Sequence, residues 1–262
     1  MGDGLNDRCE LLRSLHTPGD PLRLPNAWDV ATARTVVAAG FPVVATTSWG
    51  VAGSLGYEDD EHAPADEMFD PAARIVRGVD VPVSVDAEAG YGMPAGELVE
   101  ALQRMGAAGC NIEDTDHSTG ELQPLTERAA YVAAMREAAE SARYPLVINA
   151  RTDGLLWPYV AGAEPGTQLA RVPDALDRAN AYLDAGADCA YPITLWERDA
   201  LAEFMSGVHG PVNVCWVPQL SSVDDVAALG VARVSWAIFL YGDLMARFAQ
   251  QLTALPDADL LG

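Results

Sequence analysis

Short apolar runs alternate with stretches of helical spacing along the chain, and this alternation limits the fold more than any other feature. The apolar runs cover residues 22–25, 42–46, 81–85, 109–112, 146–149, 189–191, 212–215 and 233–235. Helical spacing follows them over residues 30–39, 71–78, 95–105, 125–142, 173–185, 197–206, 223–229 and 238–252. Strands that alternate with helices in this way predict βαβ units and a parallel sheet.

The junctions between helices and strands repeat one pattern. AAGFPVV, MGAAGCNI, DAGADCAY and ALGVARVS each place a glycine at a helix end, just before a strand. Eight units in 262 residues give about 33 residues per unit, which is typical of a (β/α)8 barrel. We predict an α/β fold, a single TIM barrel over residues 1–262 with a short helix before the first strand. A doubly wound open sheet is the alternative, although LPNAWD is not a glycine-rich phosphate turn.

The charge of the chain excludes several classes of function. It has 16 basic and 38 acidic residues, a net charge of −22, and no basic stripe, so neither nucleic acid nor a membrane surface is an expected partner. Every basic residue is arginine, and a chain without lysine can form neither a lysine Schiff base nor a P-loop.

The cysteines and the apolar content indicate the compartment. The four cysteines are widely spaced, and Cys110, Cys189 and Cys215 sit in apolar runs, so we expect buried, reduced thiols in a cytoplasmic protein. The sequence shows no signal-peptide pattern and no apolar run of about 18 residues that could span a membrane.

Acidic side chains end two consecutive predicted strands. SVDAEAGYG places Asp86 and Glu88 two residues apart, hence on one face of a strand, and NIED ends the next strand with Glu113 and Asp114. In a barrel the carboxyl ends of the strands meet at the active-site face. Carboxylates at this density suit Mg2+, which prefers oxygen ligands, although hydrogen-bonded strand ends are the alternative.

The following strand ends in INARTDG, with Asn149, Arg151 and Asp153 at alternate positions. An arginine there can bind a carboxylate or phosphonate in bidentate fashion. A buried charge without a partner is costly, so we also expect Arg151 to pair with one of the neighbouring acids.

Two loops add candidate groups. After the second strand, TTSWGVAGSLGYEDDE could hold an anion on backbone N–H groups, although a mobile loop is the alternative. His117 lies in the loop after Glu113, where it could transfer a proton or simply be solvated. The last three strands end near Tyr191, Trp216 and Trp236, which predicts one acidic and one aromatic half of the mouth unless the rings only pack under loops.

With these motifs together, the sequence resembles the isocitrate lyase / phosphoenolpyruvate mutase superfamily. The matching segments are LPNAWDVATARTVVAAGFPVVATTS, GVAGSLGYEDD, SVDAEAGYG, GCNIEDT, INARTDG and AYLDAGADC, in the family order over residues 22–234. The resemblance implies a (β/α)8 barrel whose final helix is often exchanged between subunits of a homodimer or homotetramer. It also implies Mg2+ (or Mn2+), a small carboxylate substrate, and cleavage of a C–C or P–C bond through an enolate-like intermediate.

By position, the resemblance implies roles for individual residues. Asp86 corresponds to the direct metal ligand, and Glu88 and Glu113 to supporting or water-mediated ligands. Asp59 corresponds to an acid that orders the metal site. The predicted substrate-binding residues are Ser48, Trp49, Gly50, Asn149, Arg151 and Trp216, and the predicted catalytic residues are Arg151, Asp59 and His117.

The sequence departs from the characterised branches at three places. The K-x-C-G-H loop of the isocitrate lyases is replaced by TDHSTGELQPL, and the Lys- and Asn-rich loop of the mutases is also absent. Glu88 stands where many members have aspartate, and Trp49 stands where a small residue is usual. These departures leave three hypotheses open: a Mg2+-dependent carbon–carbon lyase, a P–C bond enzyme, and a repurposed barrel that acts on or binds a larger apolar ligand.

Overall fold

The computed structural model describes residues 2–164, 166–220 and 222–255. The strands are β1 (Leu22–Leu24), β2 (Asn26–Ala27), β3 (Val44–Thr46), β4 (Val83–Asp86), β5 (Gly109–Glu113), β6 (Thr115–Asp116), β7 (Glu121–Leu122), β8 (Val147–Thr152), β9 (Cys189–Pro192), β10 (Asn213–Cys215) and β11 (Arg233–Ser235). The helices are α1 (Gly2–Ser14), α2 (Val30–Ala38), α3 (Ser48–Leu55), α4 (Ala65–Gly78), α5 (Ala95–Met105), α6 (Leu125–Ser141), α7 (Leu156–Val160), α8 (Val172–Asp184), α9 (Arg198–Gly207), α10 (Val223–Ala227) and α11 (Phe239–Thr253), with one 3-10 turn at Leu169–Arg171.

Parallel pairing closes the strands into a ring. One sheet has the order β2-β3-β4-β5-β8-β9 and a second the order β1-β11-β10. The sheets join where only Pro25 separates β1 from β2, and again at a parallel bridge between Ala190 and Val212. The ring therefore has eight strand positions, so the predicted (β/α)8 barrel is confirmed and the open-sheet alternative is wrong.

Several helices cover the ring because each of them has an apolar face that meets the strands. In α5, Leu98, Val99, Leu102 and Met105 recur at helical spacing and are buried. The helix ends at Gly106, whose φ of +83° is a left-handed conformation that glycine adopts readily. The junction glycines 40, 186 and 230 also have positive φ, which agrees with the repeated pattern in the sequence.

The amino-terminal end of the barrel is closed by α1. Leu12 and Cys9 of this helix are fully buried in the core. Asp188, at the start of β9, accepts hydrogen bonds from Arg13 at 2.8 Å and Arg136 at 2.7 Å. This carboxylate ties α1 and α6 to the strands. The four cysteines are buried free thiols, as expected for those in the strands.

Three stretches without a clear pattern in the sequence hold regular structure. Residues 48–70 contain α3 and the start of α4, residues 114–124 contain the antiparallel β6–β7 hairpin, and residues 154–171 contain α7 and the 3-10 turn. Helix α3 was missed because it is buried on several sides and made largely of small residues, so it lacks an amphipathic period.

Helix α11 differs from the other barrel helices in its exposure. Leu244, Met245, Phe248 and Leu252 are each about half exposed, and none of its residues is buried. Within the described part of the chain, no helix combines the length and the apolar content that a membrane crossing needs.

Candidate active site

Asp86 ends β4 at the carboxyl rim of the barrel. It is held by residues at and just after the end of the neighbouring strand, β3. Its carboxylate accepts the backbone N–H of Ser48 at 3.0 Å, and its own N–H donates to the Thr46 hydroxyl at 2.8 Å. The other carboxylate oxygen, Oδ1, is buried and has no hydrogen-bond partner among the described residues. The first turn of α3 therefore holds Asp86 in place and leaves one oxygen free for a ligand.

Glu88 lies two residues further on and is held by two loops. It is 2 % exposed, accepts the backbone N–H of Glu61 at 2.6 Å, and accepts the Tyr91 hydroxyl. Asp60, Glu61, Glu88 and Tyr91 all have left-handed backbones, with φ between +47° and +66°. Side-chain-bearing residues rarely adopt this conformation, and its concentration around one carboxylate is typical of a functional site.

Glu113 and Arg151 face each other from the neighbouring strands β5 and β8. The Arg151 guanidinium contacts Glu113 at 2.6 Å, and it binds both carboxylate oxygens of Asp153 at 2.6 and 3.0 Å. The predicted pairing of Arg151 with neighbouring acids is therefore confirmed. Two of its five N–H groups donate to Asp153, whereas the Glu113 contact is an ion pair whose carboxylate oxygen has no hydrogen-bond partner among the described residues, so N–H groups remain for another anion.

His117 is buried against Glu113 and is not solvated. Its side chain is 6 % exposed, and its Nε2 lies 2.8 Å from the Glu113 carboxylate. Burial lowers the pKa of His117, but the hydrogen bond and charge of Glu113, together with Glu61 and Asp60, outweigh it and raise the pKa to about 9. The imidazole is therefore protonated at neutral pH, and the solvated alternative is wrong.

Asp59, Asp86, Glu88 and Glu113, here called the acid cluster, repel one another at the rim. Burial and then the charge of Asp86 raise the pKa of Asp59 to about 6. Burial and then the charges of Asp59, Glu113 and Asp86 raise the pKa of Glu88 to about 8, against the hydrogen bond from Tyr91. Burial raises the pKa of Glu113 to about 7 although Arg151 opposes it. Within the cluster, Glu113 is the member whose ion pairs with Arg151 and His117 supply positive charge.

The donor set suits a cation that keeps its water ligands. Within residues 2–164, 166–220 and 222–255, no three His, Cys, Asp or Glu side chains are placed to bind one metal ion directly. Buried Oδ1 atoms of both Asp59 and Asp86 have no hydrogen-bond partner among these residues. Mg2+ usually binds one or two carboxylates and keeps several waters, so the cluster fits Mg2+ better than a metal that needs a full protein cage.

The predicted carboxylate cradle is the start of a helix. Ser48, Trp49 and Gly50 form the first turn of α3, where backbone N–H groups have no partner within the helix. A Cβ atom on Gly50 would lie 2.9 Å from the Thr47 side chain and 3.0 Å from Cβ of Trp28. Glycine at this position therefore lets the first turn of α3 pack closely against Trp28.

The aromatic residues gather in a separate cleft of about 530 Å3. Trp49, Trp216 and Trp236 line it together with Phe239, and the Trp49 ring packs edge-on against Tyr241 of α11. None of the acid cluster lines this cleft. Tyr191, by contrast, is a buried residue of β9. The predicted aromatic half of the barrel mouth is therefore formed by Trp216 and Trp236, which follow β10 and β11, and Tyr191 does not contribute to it.

Asn149 lies below the rim. It is fully buried and donates to the Asn111 side chain at 2.7 Å, so the structure does not bring it to the surface of the site. Conversely, the sequence reasoning missed Glu61 and Tyr91, which hold Glu88. Tyr91 lies within SVDAEAGYG and could have been found there, whereas Glu61 is brought in by the backbone of a distant loop.

Comparison with known proteins decides the family. The family model described as phosphoenolpyruvate phosphomutase matches residues 12–255. The chain belongs to the phosphoenolpyruvate phosphomutase family. It is therefore an enzyme of the isocitrate lyase / phosphoenolpyruvate mutase superfamily, and the resemblance seen in the sequence is confirmed.

Members of this superfamily with different activities are similar to the chain. The phosphoenolpyruvate phosphomutase of Streptomyces hygroscopicus is 31% identical over 238 residues, covering 85% of this chain and 72% of that protein. The 2-methylisocitrate lyase of Salmonella typhimurium (strain LT2) is 30% identical over 236 residues, covering 82% and 73%. A crystal structure from Burkholderia cenocepacia J2315, provisionally assigned as a phosphonomutase, is 38% identical with a TM-score of 0.86, covering 95% of this chain and 100% of that one.

Proposed function

We propose that the protein is a Mg2+-dependent lyase that cleaves a C–C bond of a small 2-oxo or 2-hydroxy carboxylate through an enolate-like intermediate. The observation that carries the proposal is the acid cluster, in which burial and then like charges raise the pKa values of three carboxyls beside an arginine already oriented by Asp153. This pairing of acids and a fixed arginine suits a reaction that develops negative charge on a substrate oxygen.

Asp86 would be the direct ligand of the metal, with Asp59, Glu88 and Glu113 holding its water ligands. When bound, Mg2+ would polarise the oxygens of a 2-oxo or 2-hydroxy carboxylate and favour negative charge on them. Mn2+ has similar ligand preferences and could replace it. The unpartnered oxygens of Asp59 and Asp86 support this assignment.

The chain's own residues would bind and orient the substrate. Free N–H groups of Trp49 and Gly50 at the start of α3 would hold its carboxylate, as helix N-termini commonly do. N–H groups of Arg151 that do not bind Asp153 would bind the oxygen that becomes negative, and Asp153 would keep the guanidinium in position. His117, protonated and 2.8 Å from Glu113, is the nearest group to serve as a proton donor.

Oxalate binding tests the proposal, because this dianion resembles an enolate of a 2-oxo acid. Isothermal calorimetry with and without Mg2+ should give tight binding only when Mg2+ is present. Absence of binding in both conditions would contradict an intact metal and enolate site. A panel of 2-oxo acids and 2-hydroxy diacids then identifies the substrate.

Asp86→Asn tests the metal ligand. We expect it to abolish Mg2+-dependent oxalate binding and to lower turnover by a factor of about 10² or more, since charge stabilisation of this kind contributes several kcal/mol. Asp80→Asn is the matched control, because Asp80 is exposed and precedes the opposite end of the same strand. Full Mg2+-dependent binding in the Asp86 variant would exclude the assigned role.

A P–C bond enzyme is the second candidate, and the similarity to a phosphomutase favours it. Phosphorus NMR of phosphonopyruvate separates the two candidates. Turnover of phosphonopyruvate, with no cleavage of any 2-oxo or 2-hydroxy acid, would replace the lyase by a phosphonopyruvate hydrolase or mutase.

A larger apolar ligand is the third candidate, and the aromatic cleft favours it. Trp49, Trp216 and Trp236 present three indole rings to a space of about 530 Å3. Trp49→Gly would raise activity on small oxo acids if the ring restricts the ancestral site. Unchanged activity would count against this candidate.

We also propose that the protein is cytoplasmic and forms a homodimer or homotetramer that assembles through α11. The exposed apolar side chains of α11 support the assembly, since a helix with such a face is usually covered by another element. The four buried free thiols are consistent with a reducing compartment.

A further inference from the structure

The interior of this barrel is polar where such barrels are usually apolar. Branched aliphatic side chains normally fill the layers inside a (β/α)8 barrel. Here Ser84, Asn111, Asn149, Asn213 and Arg233 occupy strand positions below the rim, and none is more than 6 % exposed. The strand register pairs Asn111 with Asn149 and Asn213 with Arg233.

Arg233 crosses this layer from one side of the barrel to the other. It lies on β11, and its Nη2 donates to the Asn111 side chain on β5 at 3.1 Å. These two strands stand four positions apart in the ring of eight, which places them on opposite walls. The same Asn111 oxygen accepts from Asn149, so one amide fixes the end of the guanidinium.

The charge of Arg233 has no partner in contact with it. The side chain is fully buried, it forms no ion pair within the described part of the chain, and its Nε and Nη1 have no hydrogen-bond partner there. Arg151 and Arg178, in contrast, are paired with Asp153, Glu113 and Asp114. An unpaired buried cation lowers the stability of the folded state by several kcal/mol, so its presence indicates a functional role.

The groups around Arg233 leave its field intact. Burial lowers its pKa, but a guanidinium remains protonated in proteins. The facing thiols of Cys110 and Cys189 and the phenol of Tyr191 have pKa values raised by burial, so they are neutral. His16 is also neutral at pH 7, because burial and Arg233 lower its pKa to about 4. The charge of Arg233 therefore reaches both His16 and Asp86, and Asp86 lies at the rim.

We propose that Arg233 is the positioning residue that supplies the uncompensated positive charge for an anionic substrate at the rim, acting through the field of the barrel interior without contacting the substrate. The inference rests on the proposed function, in that the ligand is a small carboxylate dianion held with Mg2+. It accounts for how a chain of net charge −22 favours an anion next to four carboxyls.

Two isosteric ligands of different charge test the proposal. Oxalate carries two negative charges and oxamate one, so the same positive charge should act twice as strongly on oxalate in free energy. With Mg2+ present, Arg233→Met should weaken oxamate binding about tenfold and oxalate binding about a hundredfold.

The affinity for Mg2+ alone should change in the opposite direction from the affinity for the anions. Without an anion, Arg233→Met should bind Mg2+ more tightly, because a repelling cation has been removed. Asn213→Ala is the matched control in the same layer, since it changes packing without changing charge, and should leave both ligand affinities within about threefold. Near-ultraviolet circular dichroism checks that each variant is folded, and Arg233→Gln replaces the methionine variant if that one is not.

The outcomes separate this inference from the proposed function. Equal losses for oxalate and oxamate would show a purely structural role and overturn the inference alone. If the unmodified protein binds neither ligand with Mg2+, the proposed function fails and the inference fails with it.

Discussion

Gly50 shows how a single residue without a side chain shapes the site. Its neighbours leave no room for a Cβ atom, because the Thr47 and Trp28 side chains lie within 3.0 Å of that position. Gly50→Ala should therefore displace the start of α3 from Asp86. We expect oxalate affinity to fall at least tenfold and the free energy of unfolding to fall by about 1–3 kcal/mol.

Gly96→Ala is the control for that prediction. Gly96 also lies in the first turn of a helix, but nothing stands within 4 Å of its added Cβ atom. Its substitution should be neutral or stabilising by a few tenths of a kcal/mol in urea unfolding. If Gly50→Ala binds oxalate as the unmodified protein does, the first turn of α3 does not hold the carboxylate.

His16 is a residue whose burial makes stability depend on pH. Burial, followed by the charge of Arg233, lowers its pKa from 6.5 to about 4 in the folded protein. The unfolded chain therefore binds a proton first, and stability present above pH 6.5 is lost as the pH falls towards 4. Between pH 7 and 5 we expect the loss to be about 2 kcal/mol larger than in His16→Asn.

Urea unfolding at the two pH values measures this difference. The raised pKa values of the acid cluster act in the opposite direction, but they are common to both proteins and cancel in the comparison. His209→Asn, at an exposed histidine, should match the unmodified protein. Identical pH dependence in the His16 variant would show that this histidine is not the cause.

At the scale of elements, α11 is the one barrel helix in the described chain whose apolar side chains are left largely uncovered. Phe248 and Leu252 are each about half exposed. If α11 packs against a second copy, Phe248→Glu should bury a charge in that contact and dissociate the assembly. Size-exclusion chromatography with light scattering should show a dimer or tetramer for the unmodified protein and a smaller species for the variant.

Gln250→Glu introduces the same charge on the same exposed helix and should leave the assembly unchanged. A monomeric unmodified protein would contradict the proposed assembly directly. Dissociation by the Gln250 variant as well would mean that charge on α11, and not the loss of the apolar contact, is responsible.

At the scale of the whole molecule, the crowding of acids at the rim couples metal binding to stability. A ligand that binds only the folded state raises the free energy of unfolding by about 2.7 kcal/mol at a hundred times its dissociation constant. For a chain of this length we expect saturating Mg2+ to raise Tm by roughly 5–10 °C, compared with NaCl at equal ionic strength. Differential scanning calorimetry measures the shift, and Asp86→Asn should lose most of it.

The sequence by itself determined the barrel and the composition of its rim. Local periodicity and the junction glycines predict eight βα units, and parallel strands necessarily bring their carboxyl ends to one edge. Asp86, Glu113 and Arg151 could therefore be assigned to one rim from their positions at strand ends. This assignment did not depend on the conformation of the loops.

Only the tertiary structure decided which groups complete that rim and which lie beneath it. Glu61 reaches Glu88 through a left-handed loop 27 residues away, and Arg233 reaches Asn111 across the barrel over 122 residues. Asn149, expected to bind substrate at the rim, is fully buried and donates its side-chain N–H to Asn111 instead. Strand ends follow from local pattern, whereas contacts across a closed ring depend on the closure itself, which no local pattern specifies.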